Sequence, residues 1–423
     1  MNKRFPVALA AILTMLGPGT LYAYSIFAQS LGSSFEWTRV TTTWGFAIAN
    51  FSLGLGALAG GVALARTSAR RVAIAGTLLW AAGNVLTGLG TERLGAPYFY
   101  LCYGVIGGFG CGLVTIAALT TVINWFPRRR GMGGGLVTMG FGLGAVYYTQ
   151  ILEQSTAFRA ISNAASIYVT SQADLVDPAL VHAFMRIFIV SGLAFAALGI
   201  LGASFLQGPP TEFAVENAMT TEAPMSQTIS NPQSYLLWLI LFLNSVAGIA
   251  VISNVVPMIS EMTGLPSAAG ALWYSIVAVF TGIGCFFWGV FSDLAGRRAT
   301  LVLLFLIQAF TFMLIDSVHA PVLVLAMFSL ILFCYGGAFG VMPAFNADFF
   351  GLRHFGANYG LNLTAWGSAA VVGPWFASSV RALTGSYSAM LLPLAFILFI
   401  ALIVPLIAER PAAEFPESRP TPA

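Results

Sequence analysis

Runs of about twenty apolar residues recur along this chain from one end to the other, and a helix of that length is what crosses the roughly 30 Å hydrocarbon core of a bilayer. Twelve spans are predicted, at 6–31, 41–64, 71–90, 96–125, 132–153, 184–206, 234–262, 267–292, 299–316, 321–348, 355–380 and 387–408. Each is continuously apolar, with no ten-residue alternation of apolar and polar positions, so helices are expected and a β-barrel is not. Only 8% of the 423 residues are charged and 58% are hydrophobic, whereas soluble domains carry about a quarter charged residues. Lipid is the expected solvent for most of the chain.

The placement of charge predicts orientation. With both termini in the cytoplasm, that side receives thirteen basic residues: Lys3, Arg4, Arg66, Arg70, Arg71, Arg128, Arg129, Arg130, Arg297, Arg298, Arg353, Arg410 and Arg419. The other side receives five, Arg39, Arg93, Arg159, Arg186 and Arg381. This is the positive-inside bias of a multi-pass protein, here expected in the cytoplasmic (inner) membrane. Met1 to Arg4 and the apolar residues after them resemble the start of a signal peptide, but the run passes Tyr24 with no small-x-small site, so it reads as the first span. A net charge of +3, dispersed in short groups, does not suggest nucleic acid. The expected partners are the lipid bilayer and a small-molecule substrate, bound by a monomer.

Two halves echo each other about 225 residues apart, as an internal duplication would leave them. Gly289 to Arg298 separates spans eight and nine, where Arg70-Arg71 separates two and three. Trp125-Phe126-Pro127-Arg128-Arg129-Arg130-Gly131 leads into span five, where Phe349-Phe350-Gly351-Leu352-Arg353-His354-Phe355-Gly356 leads into span eleven. The predicted organisation is a six-helix half over 1–206, a cytoplasmic linker over 207–233, a second six-helix half over 234–408 and a tail over 409–423. Residues 154–183 read as an outer connector with room for a short surface helix.

The segment from Gly289 to Arg298 fits G-x-x-x-D-x-x-G-R-R and thereby resembles the loop signature of the major facilitator superfamily. The resemblance covers the whole chain and implies an all-α membrane protein of twelve transmembrane helices in two pseudo-repeats, the major facilitator fold, acting as a secondary transporter. It implies a gating role for Gly289, Asp293, Gly296, Arg297 and Arg298, with Arg70 and Arg71 at the matching place. Asp293 would cap or pair across helix ends, and Gly296 would make the tight turn. In the first half Arg66 stands where the acid belongs and Ala69 where the glycine belongs, so a symmetric charge gate is not expected.

Within that superfamily the chain resembles the oxalate/formate antiporter-like group, which is related to monocarboxylate transporters. The residues that carry this are Tyr22-Ala23-Tyr24-Ser25-Ile26-Phe27, Asn124-Trp125-Phe126-Pro127 with Arg130-Gly131, Phe287-Trp288-Gly289, Tyr335-Gly336-Gly337 with Pro343, Asn346 and Asp348, and Asn358-Tyr359-Gly360. The group implies small carboxylates as substrates, held in its dicarboxylate members by an arginine in helix eight and a lysine in helix eleven. Those positions fall here at Cys285 and Trp366.

The departure is visible without any family, because Lys3 is the only lysine and every Asp, Glu and Arg lies near a predicted helix end or in a loop. A dianion inside the spans would be an uncompensated buried charge, which costs several kcal/mol or more. A monocarboxylate held by hydroxyl, amide and indole donors is expected in its place, since charge-assisted hydrogen bonds contribute roughly 1.5–3 kcal/mol each. The alternative is export or facilitated passage of neutral or hydrophobic small molecules.

Polar side chains within spans are expected to face inward: Tyr22, Thr115, Tyr147, Asn244, Asn254, Tyr274, Tyr335, Asn346, Asn362 and Trp366. Tyr22, Thr115, Tyr147, Cys285, Tyr335, Asn362 and Trp366 are the candidate substrate contacts, and Gly17-Pro18-Gly19 is the candidate bend. Glu153 and Asp348 are the candidate proton carriers, although helix-end pairing suits both. Cys102, Cys111, Cys285 and Cys334 lie in spans without metal spacing, so no metal or cofactor is expected. No HExxH, paired intramembrane Asp, Ser/His or Walker pattern argues for an enzyme or a primary pump. Linker and tail are too short for the signalling domain of a transport-dead receptor.

Overall fold

The computed structural model describes residues 4–156, 158–161, 178–209, 222–265 and 270–411, so much of the connector expected over 154–183, part of the linker expected over 207–233 and most of the tail lie outside the described residues. Helix α1 comprises Arg4–Gly19, a 3-10 turn Thr20–Ala23 and Tyr24–Phe35, and α2 is Arg39–Ala63. Helices α3 (69–94) and α4 (96–125) join at Gly95, whose φ of 68° breaks the helical path, and α4 carries a π stretch over Tyr100–Gly107. Then come α5 Arg130–Gln154, α6 Pro178–Ser204 and α7, made of Pro232–Ile252 and Val255–Thr263. The last five are α8 Gly270–Ala295, α9 Arg297–Ile315, α10 Pro321–Phe350, α11 Phe355–Thr384 and α12 Leu391–Ile407.

Length and composition alone single out ten membrane-crossing helices among the described residues. One of these, the 57-residue stretch Ala69–Trp125, holds two crossings, α3 and α4, which makes eleven. The twelfth is α11, 30 residues long but more polar, because it carries Asn358, Asn362, Thr364, Ser368 and Arg381. The polarity has a structural cause: α11 packs on α2 of the other half, while α5 packs on α8 and α10.

These seams need small residues. A Cβ on Gly61 would collide with the backbone carbonyl of Gly356, and one on Gly360 would lie 2.6 Å from the Ala57 carbonyl oxygen. Within the first half, a Cβ on Gly112 would strike the Leu53 carbonyl of α2. The two places predict different failures. Gly112→Val should lower stability by about 1–3 kcal/mol or more, read as a lower melting temperature, because α4 and α2 stay packed whatever the halves do. Gly61→Val should leave the melting temperature much closer to that of the parent and act on transport. Equal destabilisation by both would refute the distinction.

Candidate functional site

The bend in α1 builds the first wall. Pro18 has no N–H to donate, and the chain tightens into the 3-10 turn that carries Tyr22. Tyr22 Oη lies 3.2 Å from Tyr335 Oη of α10, and its carbonyl accepts the hydroxyl of Tyr274 of α8, so two hydrogen bonds cross from the first half to the second at one residue.

Beside Tyr22, α4, α5, α8, α10 and α11 enclose a void lined in part by Thr115, Thr138, Phe141, Cys285, Phe339 and Trp366. About 20 Å³ of it is open to the centre of a water molecule, on the order of one water. Trp366 is the middle of its aromatic wall, edge-on to Tyr22, Phe141 and Phe339 at centroid distances of 6.0, 5.3 and 5.1 Å. No acid, arginine, lysine or histidine lines it.

Its polar atoms divide by role. Thr115, Thr138 and Thr281 donate to the carbonyls of Cys111, Gly134 and Val277 one turn back, at 2.8, 3.0 and 3.0 Å, so their own protons are taken. Tyr359 Oη and Trp366 Nε1 are buried without a hydrogen-bond partner. Two neutral donors on one face of α11, seven residues and so about 10 Å apart along its axis, offer two separate points of contact to hydrogen-bond acceptors such as carboxylate oxygens.

Charge is confined to the faces. On the face that carries the termini, Asp293 at the end of α8 accepts the amides of Gly131 and Met132 at the start of α5, at 2.9 and 2.8 Å. An acid at a helix N-terminus meets free donors and the positive end of the helix dipole, and here the acid comes from the opposite half. Arg297 bonds Asp293 at 2.6 Å and Asp348 at 3.1 Å, and Arg130 of the first half bonds Asp348 at 3.0 Å. A Cβ on Gly289 would run into the Gly131 carbonyl, so only glycine lets the two helices meet this closely.

On the opposite face, Arg39 at the start of α2 donates to the hydroxyl of Tyr387, which follows α11. Gly385, with φ 76°, makes the turn that brings Tyr387 there. Arg39 and Arg381 both lie over its ring, at 5.4 and 4.7 Å, and Arg381 pairs with Glu261 of α7, which also accepts the Tyr387 amide at 3.0 Å. Burial pushes the Tyr387 phenol above its ordinary pKa, while the two arginines pull it back. Contacts between the halves thus bridge both faces.

Nine of the ten side chains expected to face inward are buried. Tyr147 is the exception, at 44% exposed. Its neighbour Tyr148 takes the buried face, because one residue rotates a helix by about 100°. Tyr147 therefore does not line the void described above. Tyr22, Thr115, Cys285 and Trp366 line the void; Tyr335 stands behind Tyr22; Asn362 is buried beside the cavity with both polar atoms unpartnered, but does not line it.

Gly289, Asp293 and Arg297 meet at the α5–α8 seam, whereas Arg298, Arg70 and Arg71 are exposed and make no ion pair among the described residues. Gly296, with φ 89°, forms the turn into α9. Asp348 is held by two arginines and Glu153 sits at the far end of α5; neither lines the void. Tyr359, Thr138, Thr281 and Phe339 were absent from the sequence-based set. The spacing of Tyr359 from Trp366 was the signal available for the first; the others carry none beyond their place in a span.

Twelve helices in two halves that enclose a cavity between them define a membrane transporter. The chain belongs to the Major Facilitator Superfamily, whose family model matches residues 7–149 and 237–423. It is 25% identical to an oxalate:formate antiporter of Oxalobacter formigenes over 92% of this chain and 88% of that one. It is also 25% identical to apicoplast pyruvate carrier 1 of Toxoplasma gondii over 62% of this chain and 56% of that one. A shorter match, 31% identical, joins it to monocarboxylate transporter 9 of Gallus gallus over 27% and 22% of the two chains. Among solved structures, the transporter FucP in its outward conformation superposes with a TM-score of 0.71 at 16% identity, covering 97% of this chain and all of that one. The xylose transporter XylE of E. coli, partially occluded and inward open, gives 0.67 at 13% identity over 95% and 97%. The chain is a multi-pass transporter and not an enzyme.

Proposed function

We propose that this protein carries a small monocarboxylate across the cytoplasmic membrane by alternating access, with both termini in the cytoplasm. The observation that carries the reading is the cavity itself: two unpartnered neutral donors, Tyr359 Oη and Trp366 Nε1, in an aromatic enclosure without a cation. Neutral donors suit one carboxylate, while a second negative charge on the same ligand would be buried without compensation. The similarity to an oxalate:formate antiporter and to pyruvate and monocarboxylate carriers supports the substrate class. Cys285 and Trp366, standing where the dicarboxylate members hold cations, support the choice of a single charge. The arginine count supports the orientation.

No lining side chain is an acid or histidine able to ferry a proton, so the coupling we propose is exchange of one acid for another. Proteoliposomes loaded with unlabelled pyruvate or formate should take up the labelled acid by counterflow, and preloading with oxalate should not drive it. A pH step alone should leave uptake unchanged. Uptake of neutral amides at the rate of the acids would favour the second reading, passage of uncharged solutes, which the apolar lining of the same void supports.

A further inference from the structure

The cavity has no cation, yet an anion leaving water needs one nearby, and five basic residues lie on the outer face under the orientation proposed above. Two of them, Arg39 and Arg381, converge on the single ring of Tyr387. They come from different halves: Arg39 opens α2, and Arg381 ends α11. Arg381 is neutralised by Glu261, which is also bonded by Ser386 and by the Tyr387 amide, so that part of the cluster is internal to the second half. Arg39 has no ion pair among the described residues, and its hydrogen bond to the Tyr387 hydroxyl reaches across the halves. The charges of Arg39, Arg381 and Glu261 leave the cluster with one net positive charge, and that charge sits on Arg39.

When the outer ends of the halves part, Tyr387 moves away with the second half, and Arg39 is left as a guanidinium at the mouth. A phenol is a single neutral acceptor, whereas a carboxylate accepts two parallel N–H bonds from arginine and carries the opposing charge. A carboxylate and Tyr387 therefore compete for one donor. A ligand that binds only the open arrangement shifts the equilibrium toward it by its differential affinity.

We propose that Arg39 is the outer encounter site for the carboxylate substrate, and that Tyr387 closes this site as a latch which the incoming anion displaces. Arg39 supplies at the entrance the positive charge that the cavity lacks, and Arg381, tied to Glu261, keeps Tyr387 in place for reclosure. This inference rests on the transport reading above for the identity of the anion and for which face is outer.

The test uses the full-length protein in liposomes and two variants with opposite expectations. Arg39→Gln removes the encounter charge and should raise the KM for external propionate about tenfold or more, the worth of one charge-assisted hydrogen bond. Tyr387→Phe keeps the ring, removes the competing hydroxyl and should lower that KM. A latch that served only to hold the halves together would move both KM values in the same direction, or change only the maximal rate, and either result overturns the proposal.

Spin labels on Leu94→Cys of the first half and Leu272→Cys of the second report the outer separation directly. Propionate should widen it in the parent and not in Arg39→Gln, and the isosteric neutral propionamide should widen it in neither. Equal widening by acid and amide overturns the latch. If the parent transports no monocarboxylate while propionate alone still parts the outer ends, the transport reading fails and the latch stands.

Discussion

Replacing Trp366 by lysine and Cys285 by arginine together should produce a protein that binds oxalate, where the parent does not. The two positions face the same void from α11 and α8, so both new cations would enter one low-dielectric enclosure. Empty, the double variant should be less stable than the parent by several kcal/mol, because each cation is desolvated with no acid among the lining residues to answer it. Oxalate should restore much of that loss, since two charge-assisted contacts at roughly 1.5–3 kcal/mol each are then made. The measurement is the melting temperature with and without oxalate, beside counterflow of the parent's own acid, expected to fall at least tenfold. A double variant that is destabilised but indifferent to oxalate would show that the cavity excludes dianions by shape and not by charge.

The second large effect is expected at Asp293. Its carboxylate ends two amide hydrogen bonds at the start of α5 and the ion pair to Arg297, and its side chain is 9% exposed. Asp293→Asn keeps the shape and removes the charge, leaving the α5 terminus a single neutral acceptor in place of a carboxylate, while Arg297 retains Asp348. The contacts that cross between the halves are the two charge-assisted amide hydrogen bonds, worth roughly 1.5–3 kcal/mol each, so weakening them should loosen closure of this face by about tenfold to a hundredfold. Alkylation of a cysteine placed near Gly131 should accelerate accordingly, and exchange should slow. Asp348→Asn should do less, because Asp348 is 28% exposed and Arg297 would retain Asp293. Equal phenotypes at 293 and 348 would show that the network acts through its total charge and not through the cap on α5.

The twelve spans were legible because bilayer thickness leaves few choices, and even the least apolar, α11, keeps an uncharged run long enough to cross. The α5–α8 seam was partly legible: Asp293, Gly296 and Arg297 stand out in a motif. The partners of Asp293 are backbone amides of Gly131 and Met132, 162 and 161 positions away, which no local pattern records. Cavity membership was harder, because nearly every residue in a span is apolar or small and periodicity fades when helices are buried on most sides. Tyr147 and Tyr148 show the limit: two tyrosines in sequence, one toward lipid and one toward the core, distinguished by a rotation of the helix that composition does not fix. Arg39 and Tyr387, 348 positions apart, gave no signal at all.

The degraded motif at Arg66 and Ala69 leaves the face that carries the termini with two unlike seams. Between α5 and α8 the Asp293 carboxylate caps the α5 amides beside close glycine contacts, while between α2 and α11 glycines meet backbone carbonyls with no ion pair among the described residues. Salt weakens the first kind of contact and leaves the second untouched. Raised ionic strength is therefore expected to loosen the α5–α8 edge before the α2–α11 edge. Side-chain volume along α2 would instead set how closely the α2–α11 edge packs, whatever the salt.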